Sequence, residues 1–395
     1  SRPLQLDGGT GTGGRMSAPA TRVFLLPAAL YLTRVSDRSG QLRATLSKAW
    51  QNYNLDLATT SPAEHPFVQL AAALYDASVD GACRLLVEMP GTWTAIVAWI
   101  EQLMEESLGK GGKGVVVFTE MAHGSQAACF NTSGTLHVRA TADAEPQEHI
   151  FALHQPYLFN EDLLERLAAT TTSFLGWQLS MALYGYLQHI TFAGQPAVEN
   201  YKARARKLRT MDDPLQVTQN WPASVTGDDL TLLAPTNVER GESPASTFAS
   251  ALLQAASSQD ERTRLAYLDL TLNGEAPVSL RKIIATHLYT IGNTLLKVPV
   301  KPRHAPADYH STEQSEMDGP PYLVSLRLLM REHEESIIGT YTDTFLRAQA
   351  VSTWQAMIEQ GRSCFLLLIG GSVEQASEAL ERFFADVEQY VGVGG

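Results

Sequence analysis

The chain has 395 residues, of which 44% are hydrophobic and 18% charged, enough apolar material for one large core or two medium ones. An excess of 42 acidic over 30 basic residues leaves a net charge of −12, which argues against a nucleic-acid or anionic-membrane surface. An anionic substrate would have to meet a local cluster of positive charge.

Residues 1–14 end in a glycine-rich run, Gly8 to Gly14, that has no lysine and no preceding apolar strand. It reads as a flexible leader rather than a phosphate loop. Residues 22–60 read as helical, with an apolar run Val23–Leu32 followed by Leu42–Asn52, and 66–78 as a further helix after a Ser61-Pro62 start signal. Short β-branched runs then alternate with helices: Cys83–Met89, helix 92–108, Gly114–Glu120, a small-residue helix near 123–128, Leu136–Thr141 and Ile150–His154. This alternation predicts an α/β fold with a parallel sheet flanked by helices. Long helices follow at 160–190 and 197–209, then a polar excursion over 211–245. The alternation resumes with helix 246–257, strand Leu265–Leu272, helix 278–296, strand Leu323–Leu329, helix 343–360, strand Cys364–Ile369 and helix 373–390.

The resulting division is a leader over 1–22, an α/β subdomain over 23–210 and a C-terminal α/β extension over 211–395 packing on the same core, with no internal repeat. Cys83, Cys129 and Cys364 are widely spaced among apolar neighbours, giving neither metal-ligand spacing nor a disulfide framework. They read as buried small residues in a reducing, cytoplasmic setting. No uninterrupted apolar stretch reaches membrane-spanning length, and the N-terminus has no charged-then-apolar signal pattern. The chain opens at Ser1-Arg2-Pro3 without a Met, which reads as a fragment whose upstream part is missing.

The segment Trp99–Gly114 carries the most chemistry. It closes an amphipathic helix with Glu105, Glu106 and Ser107, then stops at Gly109-Lys110. Acids at a helix C-terminus face the negative end of the dipole, which raises their pKa values and is mildly destabilising. Either the pair is an ordinary wet helix end, or Glu106 is wanted as a proton acceptor.

The run Trp99-Ile-Glu-Gln-Leu-Met-Glu-Glu-Ser-Leu-Gly-Lys-Gly-Gly-Lys-Gly114 resembles a segment of bacterial glucose-6-phosphate isomerases, above all the version fused to transaldolase in bifunctional enzymes. The resemblance implies that Glu106 is the base that moves a proton between C1 and C2 of the sugar. Gly13-Gly14-Arg15-Met16-Ser17, with Leu25-Leu26-Pro27-Ala28-Ala29-Leu30, resembles the family's Gly-Gly-Arg-Phe-Ser and Leu-Leu-Pro-Ala-Ala-Leu. It implies that Arg15 stabilises the enediolate oxygens, a task suited to a fixed guanidinium because the charge develops only in the transition state. Ser17 lies in the same motif and is carried over as substrate-binding.

Gln195-Pro196-Ala197-Val198-Glu199-Asn200-Tyr201-Lys202 resembles Phe-Asp-Gln-x-x-Val-Glu-x-x-Lys. It implies that Lys202 helps open the cyclic sugar and that Gln195 contacts it. Ala193 and Gly194 stand where the family has Phe and Asp, so the lysine loses one local acidic partner. From residue types alone, Lys202, Arg204, Arg206, Lys207 and Arg209 form a solvated basic helix face.

His310-Ser311-Thr312-Glu313-Gln314 resembles His-Ser-x-Gly-Gln, implying that His310 is the acid/base partner for ring opening and Gln314 a substrate contact. Glu313 replaces the usual glycine. In the family this histidine reaches the neighbouring subunit's site, which implies a homodimer. Tyr341-Thr342, Arg347-Ala348-Gln349-Ala350 and Gly361-Arg362 resemble a packing stretch of the bifunctional enzymes.

Taken together, the motifs run in family order over residues 13–390. They imply a three-layer sugar-isomerase type fold acting on a hexose phosphate, with no cofactor and no metal. The family's earlier subdomain, whose Gly-Gly-Ser and Ser/Thr loops bind the phosphate, has no counterpart in this sequence. The expectation is therefore the C-terminal part of an isomerase, poorly active by itself because remote phosphate binding orients the reacting carbons. The alternatives are a non-catalytic sugar-phosphate-binding or regulatory module of the same fold, or a structural subunit that completes its site with a separate first half.

Overall fold

A computed structural model describes residues 22–36, 38–52, 55–120, 126–143, 148–274, 276–305, 312–331 and 342–394. The chain forms two compact units: residues 1–119 with 130–194, and residues 120–129 with 195–395. The helix after Gln195, grouped by the sequence reading with the first subdomain, clusters with the second unit.

In the first unit, helices α1 (Arg22–Val35) and α2 (Leu42–Asn52) precede α3 (Pro66–Ala77). Helix α3 starts at Pro66, where the sequence places it, five residues after Ser61. Residues 61–65 form a turn, in which the Glu64 and His65 N–H groups both donate to Ser61 O. His65 then takes the N-cap position, its Nδ1 accepting from Val68 N–H ahead of a proline at the first helical position.

Strand β1 (Ala82–Glu88), helix α4 (Ile96–Leu108) and strands β2 (Gly114–Thr119), β3 (Thr135–Thr141) and β4 (Phe151–His154) follow, then α5 (Leu163–Leu187). The sheet order is β2-β1-β3-β4, every pair parallel. Its apolar face is set by period-two alternation: Cys83, Leu85 and Val87 pack with Val115, Val117, Val138, Ala140 and Leu153 against Phe67, Leu70, Ile100, Leu103 and Trp177 of the helices. Gly176 permits the approach of α5 to α3, since a Cβ there would lie 2.0 Å from the Phe67 ring.

The expected helix near 123–128 falls partly on residues 121–125, outside the described residues; what is described there is one 3-10 turn, Ala127–Phe130.

In the second unit, α6 (Pro196–Leu208) leads to a hairpin of β5 (Ser224–Gly227) and β6 (Leu230–Leu233). Its two-residue loop, Asp228-Asp229, has φ of +48° and +60°, the primed turn that matches strand twist. Then come α7 (Pro244–Ala256), β7 (Tyr267–Asn273), α8 (Val278–Tyr289, prolonged by a π-turn to Leu296), β8 (Val300–Ala305), α9 (Glu313–Asp318), β9 (Leu323–Met330), α10 (Asp343–Glu359), β10 (Ser363–Ile369) and α11 (Val373–Gly394). The sheet order is β5-β6-β10-β9-β7-β8, with β10, β9, β7 and β8 parallel.

One face of this sheet is apolar: Leu268, Leu270, Leu272, Val300, Val324, Leu326, Leu328, Phe365 and Leu367 pack against α7, α8 and α11. The opposite face, which α10 covers, alternates into Asp269, Thr271 and Asn273 of β7, Arg303 of β8 and Ser325 and Arg327 of β9, all buried. Both units are α/β, parallel strands flanked by helices.

Candidate functional site

Glu105 and Glu106 are both buried, 0% and 4% exposed, so the wet helix end is set aside. Six consecutive residues, Leu103–Leu108, are buried at this end of α4. The neighbouring carboxylate has a structural duty: Glu105 Oε1 accepts from Val117 N–H at 2.8 Å. Strand β2 is an edge strand, and this carboxylate serves a backbone donor on it.

The two lysines of the motif are structural too. Lys113 Nζ donates to Gln188 O just beyond α5, where a cation complements the helix dipole, and Lys110 Nζ donates to Thr191 O and Ala193 O. Gly114 has φ of +137°, and a Cβ there would meet Leu108 O at 2.8 Å, so the turn from α4 into β2 needs glycine. The motif is thus a folding unit that ends with Glu106 in a buried position.

Arg15, Ser17 and His310 lie outside the described residues. Gln195, Lys202 and Gln314 are described and belong to the second unit, where Gln195 and Lys202 are half-buried and Gln314 is fully buried.

Helix α6 packs on α9 through two contacts. Gln314 Oε1 accepts from Ala197 N–H at 3.2 Å, and Tyr201 Oη donates to Glu313. Gln195 is the N-cap residue of α6 but makes no side-chain cap, so Gln314 supplies the missing acceptor from another helix. The second carboxamide end of Gln314 donates to Asp318 at 3.3 Å.

Behind this corner lies a buried ionic cluster that sequence reasoning missed. Glu316 pairs with Arg303 and with Arg327 (2.8 Å), and it accepts from Thr312 Oγ1 at 2.9 Å. Arg303 Nε also lies 3.2 Å from Asp269 Oδ1, and Ser325 Oγ donates to Asp269 at 2.6 Å. Burial works against the Glu316 charge, but the two guanidiniums overcome it and hold the carboxyl below its ordinary value. For Asp269, burial and the nearby Glu316 prevail, pushing it up to about 6. Glu313 is pushed up to about 7, chiefly by burial, against the pull of Tyr201 and Lys202. The signal was legible: polar residues recur at every second position of the otherwise apolar strands Tyr-Leu-Asp-Leu-Thr-Leu-Asn and Leu-Val-Ser-Leu-Arg-Leu-Leu.

The first unit carries a smaller cluster, in which Glu88 at the end of β1 accepts from His137 (2.7 Å) and Arg139 of β3. A cleft of about 330 Å³ in the second unit is lined by Arg204 and Lys207 of the basic helix face with Met211, Trp221 and Glu359, among others, and by none of the residues that the resemblance assigns to the site. Arg204 is tied there to Glu359. No group of His, Cys, Asp and Glu that could hold a metal occurs among the described residues, and no helix among them is long and apolar enough to cross a membrane.

Fold and site together define an α/β protein with a buried carboxylate pair in one unit and a buried ionic corner in the other. No protein-family model matches the chain, and no curated protein sequence matches it significantly. Solved structures that resemble it include a hypothetical protein from Thermus thermophilus (12% identity, 94% of this chain and 89% of that one, TM-score 0.28). A glucose-6-phosphate isomerase from Chlamydia trachomatis also resembles it (12% identity, 89% and 73%, TM-score 0.30). A third is a Salmonella typhimurium protein described as sugar-binding (10% identity, 81% and 98%, TM-score 0.22). Overlaps this loose identify no family.

Proposed function

We propose that the chain carries the C-terminal part of a glucose-6-phosphate isomerase, interconverting glucose 6-phosphate and fructose 6-phosphate through an enediolate. The observation that carries the reading is the meeting of two motifs: Tyr201 and Glu313, 112 residues apart, are hydrogen-bonded, which draws the lysine motif and the histidine motif into one corner. In this reading Glu106 is the base, Arg15 steadies the enediolate, and Lys202 with His310 opens and closes the ring. Burial of Glu106 suits a base that must work in a water-poor site. Gln195 and Ser17 contact the sugar. Gln314, whose carboxamide serves Ala197 and Asp318, acts from behind by fixing α6. A homodimer, a hexose phosphate ligand and a transaldolase fusion belong to the same proposal, as does a cytoplasmic setting.

The test is a coupled assay of hexose-phosphate interconversion on the intact gene product. Glu106→Gln is expected to lower kcat by roughly 10²- to 10⁴-fold, the range of general-base catalysis. Glu105→Gln, which alters the carboxylate bonded to Val117, is expected to act first on stability, by about 1–3 kcal/mol. Activity indifferent to Glu106→Gln removes the base assignment. An inactive intact protein that still binds hexose phosphate is the regulatory module instead.

A further inference from the structure

Ala193, Gly194 and Gln195, which lead into the helix of Lys202, include no acid, and the acid of its first turn is Glu199. The structure brings a carboxylate to this helix from elsewhere. Glu313, 1% exposed, accepts a hydrogen bond from Tyr201, the residue before Lys202. The groups that act electrostatically on Glu313 are Tyr201 and Lys202 from α6, Glu316 on its own helix and Arg327 from β9. Gln314, next in sequence, caps the start of the same helix. Two adjacent residues of α9 therefore hold α6 by hydrogen bonds, and one of them is an acid whose charged form the lysine favours.

We propose that Glu313 is a positioning residue for Lys202, acting through Tyr201 and supplying from α9 the carboxylate that the segment preceding α6 lacks. A glycine at 313 could do neither, having no side chain to receive the phenol. Because Glu313 is pushed up to about 7, its charge changes near neutral pH, and the tether is strongest when it is ionised. The role of Lys202 in ring opening comes from the isomerase reading; the coupling of Glu313 to Tyr201 and Lys202 does not.

The experiment has two arms on the intact gene product. In the first, carboxyl-labelled glutamate is followed by carbon NMR, with Glu313 assigned by the signal lost in Glu313→Gln. The Glu313 midpoint is expected to move upward, by on the order of one pH unit, in both Lys202→Met and Tyr201→Phe, since each removes a group favouring the charged form. A midpoint unmoved in Lys202→Met overturns the proposal. In the second arm, interconversion of the two glucose 6-phosphate anomers is read by exchange NMR in a Glu106→Gln background. Adding Glu313→Gln, which keeps an acceptor for Tyr201, is expected to slow it roughly 10- to 100-fold, the scale of a misplaced catalytic group. Catalysed anomer exchange that Glu313→Gln leaves unchanged also overturns the proposal. A Glu313 midpoint that moves in a protein without any sugar chemistry upholds the coupling and overturns only the isomerase reading.

Discussion

The Glu88–His137–Arg139 cluster of the first unit and the Asp269–Arg303–Glu316–Arg327 cluster of the second are built alike, from carboxylates and cations on neighbouring parallel strands, with Glu316 added from a helix. They differ in water. Glu88 and Arg139 keep side-chain exposures of 20% and 37%, whereas Glu316 and Arg327 have none. In the wetter cluster, burial of Glu88 is outweighed by its bonds to Arg139 and His137, and its carboxyl sits below the ordinary value. In the dry one the carboxylates diverge: Glu316, held by two guanidiniums, stays low, and Asp269 rises to about 6. The lesson is that pairing alone does not set a buried acid's charge; the number of cations it shares against the water it has lost does.

The sharpest way to break this comparison is Arg327→Met. It leaves Glu316 with one guanidinium in a dry site and is expected to cost about 3–5 kcal/mol, read by urea unfolding. A loss below about 1 kcal/mol would mean the cluster is not dry.

The next effect is in pH. Glu313 has an ordinary value of 4.5 and sits at about 7 in the fold. Between these values the folded chain holds a proton that the unfolded chain has released. Stability therefore declines as pH rises through this window, by at most about 1.4 kcal/mol per pH unit. Glu313→Gln is expected to flatten that part of the stability–pH curve, and an unaltered slope would place the titration elsewhere.

The smallest effect belongs to the wetter cluster. Arg139→Met is expected to cost under about 1 kcal/mol, the scale of partly exposed pairs. Glu88 has the opposite sign to Glu313: with a lowered value, its contribution is present above the unfolded pKa and fades as pH falls through the folded one. Thermal unfolding in acid, compared between the parent and Glu88→Gln, reads this directly.

Much of the architecture was legible because alternation and amphipathic period are local. The strands expected over 83–89, 114–120 and 265–272 stand at Ala82–Glu88, Gly114–Thr119 and Tyr267–Asn273. Strand β8 escaped because Pro302 and its basic neighbours break the apolar run; a proline is tolerated there since β8 is an edge strand. The β5–β6 hairpin escaped inside a polar stretch, although Asp228-Asp229 between short apolar runs carries the turn chemistry. In the site, residue types picked Glu106 from Glu105 only through resemblance. That Glu105 serves Val117 depends on β2 coming back beside α4.

By itself the sequence determined the α/β class and the order of most elements, because hydrophobic period and caps are written in neighbouring positions. Only the tertiary structure decided that Glu105 and Glu106 are dry, that Gln314 caps a distant helix and that Tyr201 meets Glu313. Burial and long-range hydrogen bonds depend on which surfaces close over one another, and no local pattern encodes that.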